Sequence, residues 1–141
     1  MKILKSAVIF GLVDGLTCGT GVLMSLHNHP SAILLAAIGL AIAEVIGMGC
    51  GEWLSDSGSF ATPAAIGIAS GVGALIPAFP YLFLTGIPAI ALALVMVAVV
   101  AAGITWARHT PGSSWLRVVI ETYGVLTAVL AATTLLGVLT Q

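Results

Sequence analysis

The sequence predicts an all-α integral membrane protein, a single domain over residues 1–141 with five transmembrane helices. Three observations predict it. The chain has 141 residues, 60% of them hydrophobic and only 6% charged, with a mean hydropathy of +1.20, whereas a soluble domain carries about a quarter charged residues. Its apolar runs are long enough for membrane helices, which need about 20 residues, rather than for barrel strands of about 9–11. All four of its lysines and arginines fall on one side of a five-span layout. The net charge of −1 supplies no basic stripe, so no nucleic-acid partner is expected. Two cysteines, both within apolar segments, make no disulfide framework.

The first span is Ser6–Leu26, ended by the polar turn HNHP at 27–30. Its basic start and apolar run imitate a secretory leader. With no small-x-small cleavage site ahead of a soluble domain, it is expected to remain as a membrane span. The second span is Ser31–Leu54, where Pro30 and Ser31 suit a helix start. The third, Thr62–Leu82, is entered through DSGSFATP, and Pro77 and Pro80 are expected to kink or end it. The fourth is Ile87–Ala107, started at Pro88, and the fifth is Leu116–Leu139, after RHTPGSS. At about 1.5 Å per residue each span is about 30 Å or slightly more, matching the hydrocarbon thickness.

Five spans put the N-terminus, the second loop and the fourth loop on one side, and with them Lys2, Lys5, Arg108 and Arg117. By the positive-inside rule the N-terminus is cytoplasmic and the C-terminus outside. A bacterial plasma (inner) membrane is the expected location. All connections are short, so the activity is expected to lie within the bilayer.

Two carboxylates break the apolar pattern. Asp14 stands eight residues into the first span, and Glu44 ten residues before the cytoplasmic end of the second. Both therefore lie about 12–15 Å in from the same edge. A charge at the bilayer centre costs about 2.5–3.5 kcal/mol on insertion scales, so such residues face an interior or a water-filled path. Matching depth on consecutive antiparallel helices predicts one shared site, with the carboxylates within about 10 Å of each other, close enough for metal–oxygen bonds of about 2.0–2.6 Å. Gly11, Gly15 and Gly19 repeat every four residues in the first span, Gly47 and Gly51 in the second, and Gly67 and Gly71 in the third. Small residues at this spacing let helix backbones approach closely.

Each carboxylate has a sulfur one turn away: Cys18 after Asp14 and Met48 after Glu44. Carboxylates accept any divalent ion, while sulfur favours softer transition metals over Mg²⁺ and Ca²⁺. Neighbouring carboxylates in a poorly solvated site also favour holding protons, which a metal would displace. The candidate metal ligands are therefore Asp14, Glu44, Met48 and Glu52, with Cys18, Cys50 and Asp56 as further path residues. Glu52 and Asp56 mark the cytoplasmic mouth. Each has a plainer alternative: the acids as interhelical hydrogen-bond partners, Met48 and the cysteines as packing, Glu52 and Asp56 as solvated helix ends. Glu121 is read as an interfacial partner of Arg117 at i,i+4, and His27 and His29 as a solvated loop. No nucleophile, base and orienting group occur together, and His109 stands alone at a helix end, so no enzymatic activity is expected.

The motifs FGLVDGLTCGTGVL, AEVIGMGCGEWLS and GVGALIPAFPYLF, in that order, resemble the vacuolar iron transporter family. The likeness runs over almost the whole chain: an FGxxDG opening, an acid with a methionine four residues on and a GEYLS-like ending, then a small-residue helix with Ile-Pro-x-x-Pro. It implies a five-helix homodimer that exports Fe²⁺ and related ions such as Mn²⁺ from the cytoplasm, coupled to protons, with the metal as cargo and no resident cofactor. By motif position Asp14 and Met48 would line the path near the dimer interface, with Glu44 and Glu52 at further acidic positions. The chain departs from plant and fungal-type members between the second and third spans, where their Glu- and Met-rich helical segment is replaced by DSGSFATP. Two other readings stand beside transport of metal: a non-transporting assembly or regulatory subunit that uses Asp14 and Glu44 to join helices, and a carrier of small organic cations or protons.

Overall fold

The computed structural model describes residues 2–55, 59–110 and 112–139. Its elements are helices α1 (Lys2–Ser25), α2 (Pro30–Ser55), α3 (Ala61–Leu75), α4 (Ile87–Arg108) and α5 (Trp115–Leu139), with a 3₁₀ segment, Ile76–Leu82, continuing α3. Five helical stretches among the described residues are long and apolar enough to cross a membrane, which is the length and composition of an integral membrane protein. Pro30 opens α2 at a position where its missing N–H is not needed. Pro77 and Pro80 have the effect expected of them. Without their N–H groups the i→i−4 ladder fails, and the last seven residues of the third span tighten into 3₁₀ geometry. Gly86, with φ 67° and ψ −149°, then turns the chain into α4 through a backbone conformation that favours glycine.

The short helix is the centre of the bundle. The third span is 61% buried, against 17% for α2 and 11% for α5, so the long helices turn most of their surface outward and α3 is enclosed. It packs mainly on α1 and α2. In lipid, apolar side chains gain little from meeting each other, and association rests on close packing. The α1–α3 contact is backbone against backbone. A methyl group on Gly11 would overlap the Ile66 carbonyl, one on Gly15 the Ser70 carbonyl, and one on Gly19 the Ala74 carbonyl. From the opposite side, a methyl on Gly73 would stand 2.8 Å from the Leu12 oxygen and 2.9 Å from the Leu16 nitrogen.

The glycines of α2 correct one sequence expectation. Gly47 and Gly51 have nothing within 4 Å, and the α2–α3 contact is made instead by Gly49, whose Cα lies 3.1 Å from a methyl built on Gly67. The four-residue repeat was sound as a small-residue stripe, but it lies on the outward face of α2. Gly67 and Gly71 do meet α2, at Val45 and Ala41.

Toward the α2 N-terminus, Leu23, Ile33, Ala37, Ala78, Tyr81, Ala89 and Ala93 form one core. A second core of Leu16, Val97, Ala101, Ile104 and Leu126 joins α1, α4 and α5. A polar clasp holds the α4–α5 corner. The Arg108 guanidinium donates to Thr122 Oγ1 and to Glu121 Oε2, both at 2.9 Å, and Arg117 Nε donates to Glu121 Oε1 at 2.8 Å, the expected i,i+4 pair. His109 stacks on Trp115 with centroids 4.1 Å apart.

Candidate metal centre

Three helices meet at one point in the bundle, and each brings a polar side chain to it. On α1, Asp14 and Cys18 share a face one turn apart. The glycines at 11, 15 and 19 draw that helix against α3. On α3, Ser70 lies between the face that meets α1 (Ile66, Gly73, Ala74) and the face that meets α2 (Gly67, Gly71). On α2, Glu44 reaches inward beside Val45, which packs on α3. Ser70 Oγ lies 2.8 Å from Glu44 Oε2 and 3.2 Å from Asp14 Oδ2. One ligand atom each from Asp14, Cys18 and Glu44 all fall within 4.8 Å of one another, and all three residues are half-buried. Two donors on a single ion, each roughly 2.0–2.3 Å from it, stand up to roughly 4.6 Å apart, so this group needs only small side-chain rotations to share one.

The proton count at Ser70 is informative. Its hydroxyl is fully buried and carries one proton, yet two carboxylate oxygens lie within hydrogen-bond distance. One contact is satisfied by the serine proton. The other needs a proton on the carboxyl, or a cation close by to offset the charge. Among the described residues the ion pairs are those of Arg108 and Arg117 with Glu121, and no lysine, arginine or histidine pairs with Asp14 or Glu44. Two acids in a poorly solvated bundle, with no cationic partner among the described residues, can hold a proton or a metal ion.

The remaining expected site residues divide. Met48 and Glu52 follow Glu44 at four-residue intervals and, like it, are half-buried while Val45, Ile46 and Gly47 are exposed, so the three form one stripe along α2. Glu52 lines a groove of about 410 Å³ with Ile3, Ser6, Ala7, Phe10, Thr62 and Ile66. Phe10 and Ile66 precede Asp14 and Ser70 by one turn, so the groove leads toward the cluster from the Lys5 end. Cys50 is exposed and lines a separate groove with Trp53, Phe60 and Ile68, apart from the three-donor group. Asp56 lies outside the described residues. His27 is not a free loop residue. It is half-buried, and its Nδ1–H donates to the Met24 carbonyl at 2.7 Å, while His29 is exposed.

Ser70 is the residue that sequence reasoning missed. A serine among glycines and alanines reads as ordinary packing, and the available signal was only its place within the small-residue stripe of the third span. Ser70→Ala removes the hydroxyl that both carboxylates use. It is expected to destabilise the detergent-solubilised protein by about 1–3 kcal/mol, the cost of an unsatisfied buried polar group, read as a lower melting temperature.

No protein-family model, curated protein or solved structure matches the chain.

Proposed function

We propose that the protein is a divalent transition-metal transporter of the vacuolar iron transporter type, exporting Fe²⁺- or Mn²⁺-like ions from the cytoplasm in exchange for protons. The observation that carries this reading is the convergence of Asp14, Cys18 and Glu44 within 4.8 Å inside a membrane bundle, with no protein cation paired to them among the described residues. The ion enters past Glu52, moves along the Glu44–Met48–Glu52 stripe, and binds between α1 and α2. A proton held between the carboxylates and the Ser70 hydroxyl is released as the metal arrives. By the positive-inside rule, the gathering of Lys2, Lys5, Arg108 and Arg117 on one side supports a cytoplasmic N-terminus. The outward stripe Gly39, Ala43, Gly47 and Gly51, exposed in the single chain, suits the homodimer contact that the family resemblance implies.

The test is a flux assay in proteoliposomes with Fe²⁺, Mn²⁺, Co²⁺ and Zn²⁺ across a pH gradient. Metal moves, and an opposing proton flux accompanies it. Met48→Leu, which keeps the volume but removes the thioether, lowers flux of the softer ions and leaves a carrier of organic cations or protons unaffected. No metal movement under any gradient sinks the reading.

One observation favours a second reading. Ser70 ties Asp14 and Glu44 together by hydrogen bonds, which a non-transporting assembly subunit would use as interhelical glue. That reading requires no metal flux and no metal-dependent thermal shift.

A further inference from the structure

We infer that Cys18 is a metal ligand and the selectivity residue of this site, giving a preference for thiophilic divalent ions such as Co²⁺, Zn²⁺, Cd²⁺ and Fe²⁺ over Mn²⁺, Mg²⁺ and Ca²⁺. This rests on the transport reading and narrows its substrate class.

The two thiols of the chain stand in different surroundings. Cys50 is exposed, in an apolar groove. Cys18 is half-buried, and its Sγ lies within 4.8 Å of carboxylate oxygens from two different helices. A small apolar side chain would pack equally well at a helix contact, but it would not place a soft donor where two hard ones already converge. Asp14 and Cys18 sit on one helix face one turn apart, so a single ion meets both without moving α1, and Glu44 closes the third side from α2. The set is then two oxygens and one sulfur. A carboxylate-only site ranks divalent ions weakly, whereas thiolate sulfur binds borderline and soft ions much better than hard ones.

Binding balances simply. The Cys18 Sγ–H bond breaks as the sulfur–metal bond forms, and the proton passes to water. Two carboxylates and a thiolate bring three negative charges to the ion's two positive. The proton held between the carboxylates leaves as well, so the metal-bound site keeps one net negative charge, shared by the ligands, and the Ser70 hydroxyl donates to one of the carboxylates. No change of oxidation state is involved.

The experiment uses full-length protein in detergent, in a Cys50→Ser background so that Cys18 is the sole thiol. Co²⁺ is titrated first. The expected result is a near-ultraviolet thiolate-to-cobalt charge-transfer band, together with protection of Cys18 from N-ethylmaleimide by Co²⁺ but not by Mg²⁺. Cys18→Ser removes the band and weakens Co²⁺ binding by about tenfold or more, while Mn²⁺ binding changes by less than about threefold. Alkylation protection needs no substitution at Cys18, so it reports even where Cys18→Ser is poorly folded. Co²⁺ binding that Asp14→Asn abolishes, but that gives no sulfur band and no thiol protection, overturns the inference and leaves the transport reading standing. Absence of any Asp14-dependent binding of Co²⁺ or Mn²⁺ overturns both.

Discussion

Replacing Asp14 by Asn, or Glu44 by Gln, stops metal flux in proteoliposomes without unfolding the protein. Each change keeps the side-chain volume and removes one negative charge. Substituting a group outside the first coordination shell already costs about 10–100-fold in metal affinity, so losing a direct oxygen ligand is expected to cost at least about 100-fold. Stability is expected to move the other way or not at all. The two acids share one serine proton and need a second proton or a cation to satisfy both contacts, whereas an amide brings its own N–H donors, which the neighbouring carboxylate accepts. If the cluster holds a cation as proposed, the isosteric amide trades function for stability. The paired readout separates the two readings of the cluster. Structural glue predicts that both amides, which still hydrogen-bond, leave every property nearly unchanged. A transport site predicts lost flux with an equal or higher melting temperature. Normal flux in both variants would end the proposal.

The extent to which this arrangement was legible beforehand follows from what sets each part of it. Hydropathy and length place a membrane helix without tertiary information, so the first, second, fourth and fifth spans fall within a few residues of the observed helices. The third span differs at its end because two prolines three residues apart act on local hydrogen bonding, which the sequence states, while the resulting 3₁₀ turns depend on what α3 packs against. The matched depth of Asp14 and Glu44 is a property of rise per residue and could be counted. Their common contact with Ser70 could not, because it depends on the rotation of α3 about its own axis. The same rotation explains the errors in the glycine reading. Gly67 and Gly71 are directed at α2 and Gly73 at α1, whereas in α2 it is Gly49, between the expected Gly47 and Gly51, that meets a neighbour. Spacing identifies a stripe of small residues but not which of several partners it faces. Cys18 was visible as a neighbour of Asp14, and only packing brings its sulfur to Glu44 as well.

The largest structural effect is expected at Gly15. A methyl group there falls on the Ser70 carbonyl, 2.6 Å from its carbon and 2.9 Å from the Ala74 nitrogen, where ordinary contact begins at 3.4 Å. These are backbone atoms of a helix, and they cannot swing aside as a side chain would. Gly15→Ala therefore has to push α1 and α3 apart. Overpacking of this kind costs about 1–3 kcal/mol and occasionally more, set against a helix-propensity gain of at most about 1 kcal/mol. The balance is destabilising. Gly124→Ala in α5 supplies the control, because its methyl has nothing within 4 Å in the chain, it lies outside the stripe assigned to the dimer contact, and only the propensity gain remains. Thermal melting in detergent should fall for Gly15→Ala and hold or rise for Gly124→Ala. Equal melting of both variants would mean that the α1–α3 crossing is not the close contact described. The consequence for the site follows from chain position. Gly15 is the next residue after Asp14, and its methyl would press on the carbonyl of Ser70 itself. Any separation relieving that contact lengthens the 3.2 Å distance from Ser70 Oγ to Asp14 and carries Asp14 and Cys18 away together. Gly15→Ala should then lose metal binding in the fraction that remains folded, although no ligand has been altered. The glycines of α1 are in this sense part of the proposed metal centre, since they fix how near Asp14 and Cys18 stand to α3.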